Sequence, residues 1–158
     1  MALNLKNGDS MGFKGASVHT INESGRISIP AKTRELLKSV YSNETLVLAM
    51  LSTYIVAYPV QEWEKKEAEL QARPPQNKNE ANALRRLYAN LEEVSIDKQG
   101  RILIPPALRA RAQLTDECTI VGMDKRIEIW NKGLYDEVMA ADDSSDEALG
   151  SQFNELIL

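Results

Sequence analysis

One stretch of the chain occurs twice, and the doubling limits what the chain can fold into. Residues 21–30 read INESGRISIP and residues 96–105 read IDKQGRILIP. At a constant offset of 75, six of the ten positions are identical, Pro closes both copies, and Arg34 recurs as Arg109. A repeat of this kind fixes the architecture before any single element is assigned. Each copy carries Asx at its second position and Gly three residues on: Asn22 and Gly25, then Asp97 and Gly100. That pairing suits a type I turn, in which the short polar side chain accepts from its own backbone. The alternating Arg-Ile-Ser-Ile and Arg-Ile-Leu-Ile that follow predict short strands with Ile on one face. Pro30 and Pro105 lack a ladder donor and suit a helix start. Each copy is therefore strand, tight turn, strand, helix, with an arginine leaving the turn.

The intervening chain repeats more loosely. A first strand is expected over 15–21, a helix over 31–40 with Leu36, Leu37 and Val40 inward, and strands over 45–51 and 53–58. A charged helix over 61–72 has Trp63 and Leu70 as anchors. A Pro-Pro linker follows, then a helix over 80–91 with Ala83, Leu84, Leu87 and Leu91 on one face. The second copy continues with a strand over 94–96, a short helix through 112, a hairpin of 118–121 with 126–130, and a helix over 134–140. Tyr58 echoes Trp130, and Trp63 echoes Tyr135. The expected divisions are an N-terminal arm (1–14), a first unit with its trailing helix (15–72), a linker and helix (73–90), a second unit (91–140) and an acidic mobile tail (141–158). A unit of about 45 residues buries too little surface to stand alone. The two copies should therefore share one core in a pseudo-two-fold, mostly β fold with peripheral helices (α+β).

Charge is unevenly placed. The net charge is −4, yet all 19 Lys and Arg lie at or before Lys132. Residues 136–158 hold seven acids and no base, which leaves residues 1–135 with 19 bases against 16 acids. Residues 14–38 have five bases and two acids, and residues 94–112 have four bases and one acid. Local charge outweighs the whole-chain value for a polyanionic partner.

Other chemistries find little purchase. His19 and Cys118, the single histidine and cysteine, lie far apart in sequence and do not have metal-ligand or nucleophile–base spacing. No phosphate loop or dinucleotide glycine pattern is present, and the tail acids lack calcium-loop spacing. Neither an enzyme, a cofactor, a bound metal nor a small-molecule substrate is expected. The longest uncharged apolar run is interrupted and too short to span a bilayer, and the N-terminus has no apolar signal segment. A cytoplasmic location is expected.

The repeated Asx-x-x-Gly-Arg elements resemble the MraZ family, a double version of the AbrB/SpoVT-type DNA-binding unit, over about residues 15–140. The family motif Asp-x-x-x-Arg is intact at Asp97 and Arg101. In the first copy Asn22 replaces the aspartate, with Arg26 in place. The resemblance implies a swapped-hairpin β-barrel built from both halves. It implies a ring-shaped homo-oligomer on the nucleoid that binds short direct repeats in promoter DNA and represses the division and cell-wall gene cluster. Under that resemblance Arg26 is the first candidate for base readout and Arg101 the second. Asn22, Gly25, Asp97 and Gly100 form the motif turns. Lys14, Lys32, Arg34 and Arg109 are candidates for phosphate contact. The alternative is a scaffold of the same fold that binds protein partners through Trp63, Leu70, Leu84 and Leu87.

Overall fold

The computed structural model describes residues 12–50 and 52–141. Residues 142–158 of the expected tail, residues 1–11 of the expected arm and Leu51 lie outside the described residues. Eight strands appear in chain order: β1 (Ala16–Thr20), β2 (Arg26–Ser28), β3 (Thr45–Met50), β4 (Ile55–Pro59), β5 (Glu92–Ser95), β6 (Arg101–Leu103), β7 (Glu117–Gly122) and β8 (Ile127–Asn131). The helices are α1 (Ala31–Leu36), α2 (Val60–Ala72), α3 (Lys78–Ala89), α4 (Pro106–Arg111) and α5 (Lys132–Met139). Pro30 and Pro105 both sit at the N-cap with extended ψ of 142°, one residue before the first helical position.

Six strands form one sheet in the order β1-β7-β8-β4-β3-β5, and β2 pairs with β6 as a separate two-stranded ribbon. The two copies interleave. β1 of the first runs antiparallel to β7 of the second, β5 of the second runs along β3 of the first, and β2 meets its repeat mate β6. The fold is α+β and mostly sheet, as expected. The barrel is corrected: the sheet does not close, because β1 and β5 are its two edges. Each edge strand runs into a tight turn. Asn22 N donates to Arg26 O and Asp97 N to Arg101 O, and this reversal leads the chain off into the ribbon.

The main core lies between the inner face of the sheet and the ribbon. Leu46, Leu48, Ile55, Ile120, Ile127 and Ile129 meet Ile27, Ile29, Ile102, Ile104 and Leu108, all with 2% exposure or less. Burying each such side chain contributes about 1.5–3 kcal/mol. The outer face carries a second cluster, Val47, Val56, Tyr58 and Trp63, covered by α2 and α3 through Leu70 and Leu87. The echoed aromatics are neighbours in both halves. The Tyr58 and Trp63 rings lie 5.7 Å apart, and those of Trp130 and Tyr135 lie 5.6 Å apart. The backbone repeats the symmetry, with Ile21 N donating to Asp116 O at 2.9 Å and Ile96 N to Glu44 O at 3.0 Å.

Two details depart from the sequence reading. The helix expected over 31–40 widens after Leu36 into a π turn, Leu37–Tyr41, ended by left-handed Ser42 at φ 51°. The extra residue per turn moves Val40 to the surface and brings Tyr41 inward, where its hydroxyl donates to buried Glu62 at 2.7 Å. Phe13, expected within the loose arm, is buried, and its amide and carbonyl bond Asp124 at 2.7 and 2.9 Å.

Candidate nucleic-acid interface

The two motif turns are built alike. Gly25 N donates to Asn22 O, and Gly100 N to Asp97 O, both at 3.0 Å. Both glycines have positive φ, 92° and 79°, where a side chain is strained. The Asx side chain then accepts the arginine amide, Arg26 N to Asn22 Oδ1 at 2.8 Å and Arg101 N to Asp97 Oδ1 at 2.9 Å. This bond sets where each arginine leaves the turn.

The turns differ in what holds the guanidinium. Arg101 Nε, shielded from solvent, lies 3.5 Å from Asp97 Oδ2, and its Nη2 donates to Gln99 Oε1. The Arg101 amide, the Gln99 amide and the Arg101 charge together hold the Asp97 carboxyl below its usual range. Asn22 offers no charge, and Arg26 Nη1 donates to Ser24 Oγ at 3.0 Å. At the corresponding tip position the first copy carries Glu23 and the second Lys98. Residues 22–26 are thus formally neutral and residues 97–101 carry +1. The Asn22 substitution alone suggests that the first turn is the more positive one. Glu23 reverses that order.

Arg34 and Arg109 clasp the opposite turns. Each is the fourth residue of its short helix, where side chains lean back toward the helix N-terminus. Arg109 Nη1 donates to Glu23 O at 3.1 Å and would lie 3.0 Å from a Cβ on Gly25. Arg34 packs over Gly100, where an added Cβ would sit 2.8 Å from its Cζ, and Arg34 Nε donates to Ile29 O at 3.2 Å. The same glycines accept across the copies, Ile29 N to Gly100 O at 2.9 Å and Ile104 N to Gly25 O at 2.8 Å. Arg34 and Arg109 therefore brace the turns while staying partly exposed. No sequence signal pointed to this role, because the contacts of Arg34 with Gly100 and of Arg109 with Glu23 cross from one copy to the other.

The ribbon register completes the surface. Arg26 faces Leu103, Ile27 faces Ile102, and Ser28 faces Arg101. The isoleucines point into the core, so the outer face presents Arg26, Ser28, Arg101 and Leu103. Arg26 and Arg101 are diagonal neighbours, about 7–8 Å apart by sheet geometry. Arg34 and Arg109 flank them at the two ends. Lys32 is exposed on α1, which follows β2 in the chain. Lys14 is not gathered in. It precedes β1, whose far end leads to the Asn22 turn, which puts it about 20 Å away along the strand. Lys98, Ser28 and Leu103 belong to the surface and escaped the sequence reading. The strand alternation that turns Ile27 and Ile102 inward was the available signal.

The residues weighed for other chemistry come closer than their spacing suggests. His19 and Cys118 are directly opposite on β1 and β7. Burial raises the Cys118 thiol to about 11, and its Sγ sits 3.6 Å from Asp116 O. His19 Nε2 is 2.7 Å from Ser17 Oγ, and burial lowers its pKa. A protonated thiol is a poor nucleophile. Among the described residues, three or more potential metal ligands do not cluster anywhere. No described helix is long and apolar enough to cross a membrane.

A family model described as "MraZ protein, putative antitoxin-like" matches residues 12–86 and again residues 87–153. A Lactobacillus delbrueckii subsp. bulgaricus protein named "Transcriptional regulator MraZ" is 39% identical over 137 residues, covering 85% of this chain and 92% of that protein. A Syntrophobacter fumaroxidans protein of the same name is 37% identical over 133 residues, 84% of this chain and 88% of its own. One from Pediococcus pentosaceus is 37% identical over 127 residues, 80% and 86% respectively.

Proposed function

Because this chain belongs to the MraZ family, we propose that it is a transcriptional regulator that inserts its β2–β6 ribbon into the major groove of promoter DNA. The observation that carries this is the outer face of the ribbon, where Arg26 and Arg101 lie diagonally across the two strands between Arg34 and Arg109. A two-stranded ribbon fits the width of the major groove. Arg26 reads guanine through O6 and N7, a bidentate contact worth about 1–3 kcal/mol of discrimination. Arg101 makes the weaker or later contact, because Asp97 and Gln99 already hold its guanidinium. Arg34, Arg109 and Lys32 contact phosphate, which sets affinity and salt dependence. For Arg34 and Arg109 this is a second duty beside bracing the turns. Lys14 reaches phosphate only on DNA that extends past the ribbon.

The interleaved strands support a swapped-hairpin origin of the fold, in which each repeat lends its hairpin to the other. The finer functional picture follows the family resemblance: several copies form a ring and occupy short direct repeats. Seated there, the ring excludes polymerase from the division and cell-wall genes. Rotation-related subunits suit direct repeats, and several weak contacts add by multivalency. The surface behind the ribbon supports assembly. On the opposite face of the sheet a groove of about 650 Å³ lies between α2 and α3, lined by Trp63, Leu70, Leu84 and Leu87 among others. Copies meeting there leave every ribbon free for DNA.

Fluorescence anisotropy tests the reading. The probe is a duplex carrying the direct repeats upstream of the protein's own gene, with a scrambled duplex as control. Wild type is expected to prefer the repeats and to weaken steeply with salt, and Arg26→Ala to lose the preference. Equal weak binding to both duplexes leaves only a generic basic surface. Absence of binding to either supports the scaffold alternative.

A further inference from the structure

The ribbon's outer face is pseudo-symmetric at its arginines and asymmetric at the positions beside them. Ser28 and Leu103 are repeat mates at the offset of 75, and each faces the other copy's arginine. Ser28 obeys the polar-out rule for a half-exposed strand. Leu103 breaks it, with 44% of its surface exposed, while the neighbouring Ile102 is 1% exposed and Ile104 is 1% exposed. It belongs to neither core cluster. Its Cδ1 reaches toward the first turn, 3.5 Å from where a Gly25 Cβ would stand, so it lies beside the origin of Arg26. A lone exposed leucine on a surface is ordinary. This one is the only large apolar side chain on a four-residue face otherwise made of two arginines and a serine.

We infer that Leu103 packs on the C5-methyl group of a thymine adjacent to the base read by Arg26, and that Ser28 leaves the matching position beside Arg101 indifferent to that methyl. The inference rests on the ribbon reading proposed above. In the major groove, thymine is marked by its methyl group, which apolar side chains recognise by contact. The two ends of one ribbon then differ in what they read. Arg26 with Leu103 selects a guanine beside a thymine, and Arg101 with Ser28 reads without the apolar contact. A pseudo-symmetric protein thereby acquires a direction on DNA, which direct repeats require and a palindrome does not.

The test replaces thymine by deoxyuridine, one position at a time, in the direct-repeat duplex. Removing the methyl changes nothing else about the base edge. Binding is measured by anisotropy for wild type, Leu103→Ser, Ser28→Leu and Arg26→Ala, with thermal melts to check that each folds. Wild type is expected to lose about fourfold affinity at one position in each repeat, the value of one buried methyl. Leu103→Ser should bind more weakly on thymine DNA and lose nothing further on the deoxyuridine duplex. Ser28→Leu should become sensitive at a second position. The inference is overturned if wild type is insensitive at every position, or if Leu103→Ser keeps the same deoxyuridine loss. Those outcomes leave the ribbon reading intact as long as Arg26→Ala still weakens binding. If Arg26→Ala binds like wild type, the ribbon reading itself fails.

Discussion

The two motif turns have the same backbone and differ in how tightly they hold their arginine. In the second, Asp97 accepts from two amides and pairs with the guanidinium it launches. In the first, Asn22 accepts the amide of Arg26 and the hydroxyl of Ser24, and among the described residues the guanidinium bonds that hydroxyl alone. Two positions, Asp97 for Asn22 and Gln99 for Ser24, separate a tethered arginine from a loosely held one. An arginine already paired with a carboxylate must give up part of that pairing to bind DNA. One resting on a serine gives up less, so under the proposed DNA contact the copy that departs from the family motif would supply the readier reader.

The largest expected effect tests the symmetry itself. Ile27 and Ile102 face each other at the centre of the ribbon, with exposures of 0% and 1%. Ile27→Ala and Ile102→Ala should each cost about 2–5 kcal/mol and match closely, as urea denaturation would show. A large disparity would mean that the halves are not equivalent in the core. Next comes the arginine pair. Arg26→Ala should weaken repeat-DNA binding about 10- to 100-fold, and Arg101→Ala less, in salt-matched anisotropy. The reverse order would break the comparison.

The glycines follow. Gly25→Ala and Gly100→Ala each force a side chain into positive φ and against the clasping arginine, at a cost above about 1 kcal/mol. Gly25→Ala should cost more. Its Cβ would sit 3.1 Å from the Ile104 carbonyl, whereas the three atoms nearest a Gly100 Cβ all belong to the end of the flexible Arg34. The smallest effect concerns acid. Asp97 has a lowered pKa in the fold, so its contribution to stability is present above its ordinary value of 3.8 and fades as pH falls through the lowered one. Asp97→Asn should remove that part of the acid sensitivity as pH falls below 3.8. Asn22→Asp should add a matching dependence in the first turn, read as the urea midpoint against pH.

Much of this was legible in sequence because it is local. The turn chemistry of Asn22–Gly25 and Asp97–Gly100, the alternation of Ile27 and Ile29, and the helix starts after Pro30 and Pro105 need only neighbouring residues. The α+β class and the doubling followed from the repeat. The rest depends on where the copies touch. Arg34 and Arg109 look like solvated helix residues until Gly100 and Gly25 of the other copy are placed beneath them. The open sheet depends on how far each chain end turns away, and the π turn at Leu37–Tyr41 on a tyrosine seeking Glu62. The relation of Leu103 to Arg26 exists only in the β2–β6 register.

The interleaving of strands also sets the timing of folding. Thr20 pairs with Glu117 and Ala16 with Val121, so β1 waits for a partner about a hundred residues further along the chain. Pairings of such long sequence separation are slow to form, because loop-closure entropy must be met before the contact repays it. During synthesis at roughly 5–20 residues per second, the first repeat spends several seconds with its edge exposed and no mate. A lone repeat meeting another chain in that interval would pair with it by the same strands. Joining the two repeats in one chain replaces that encounter between molecules with a connection that guarantees the partner arrives.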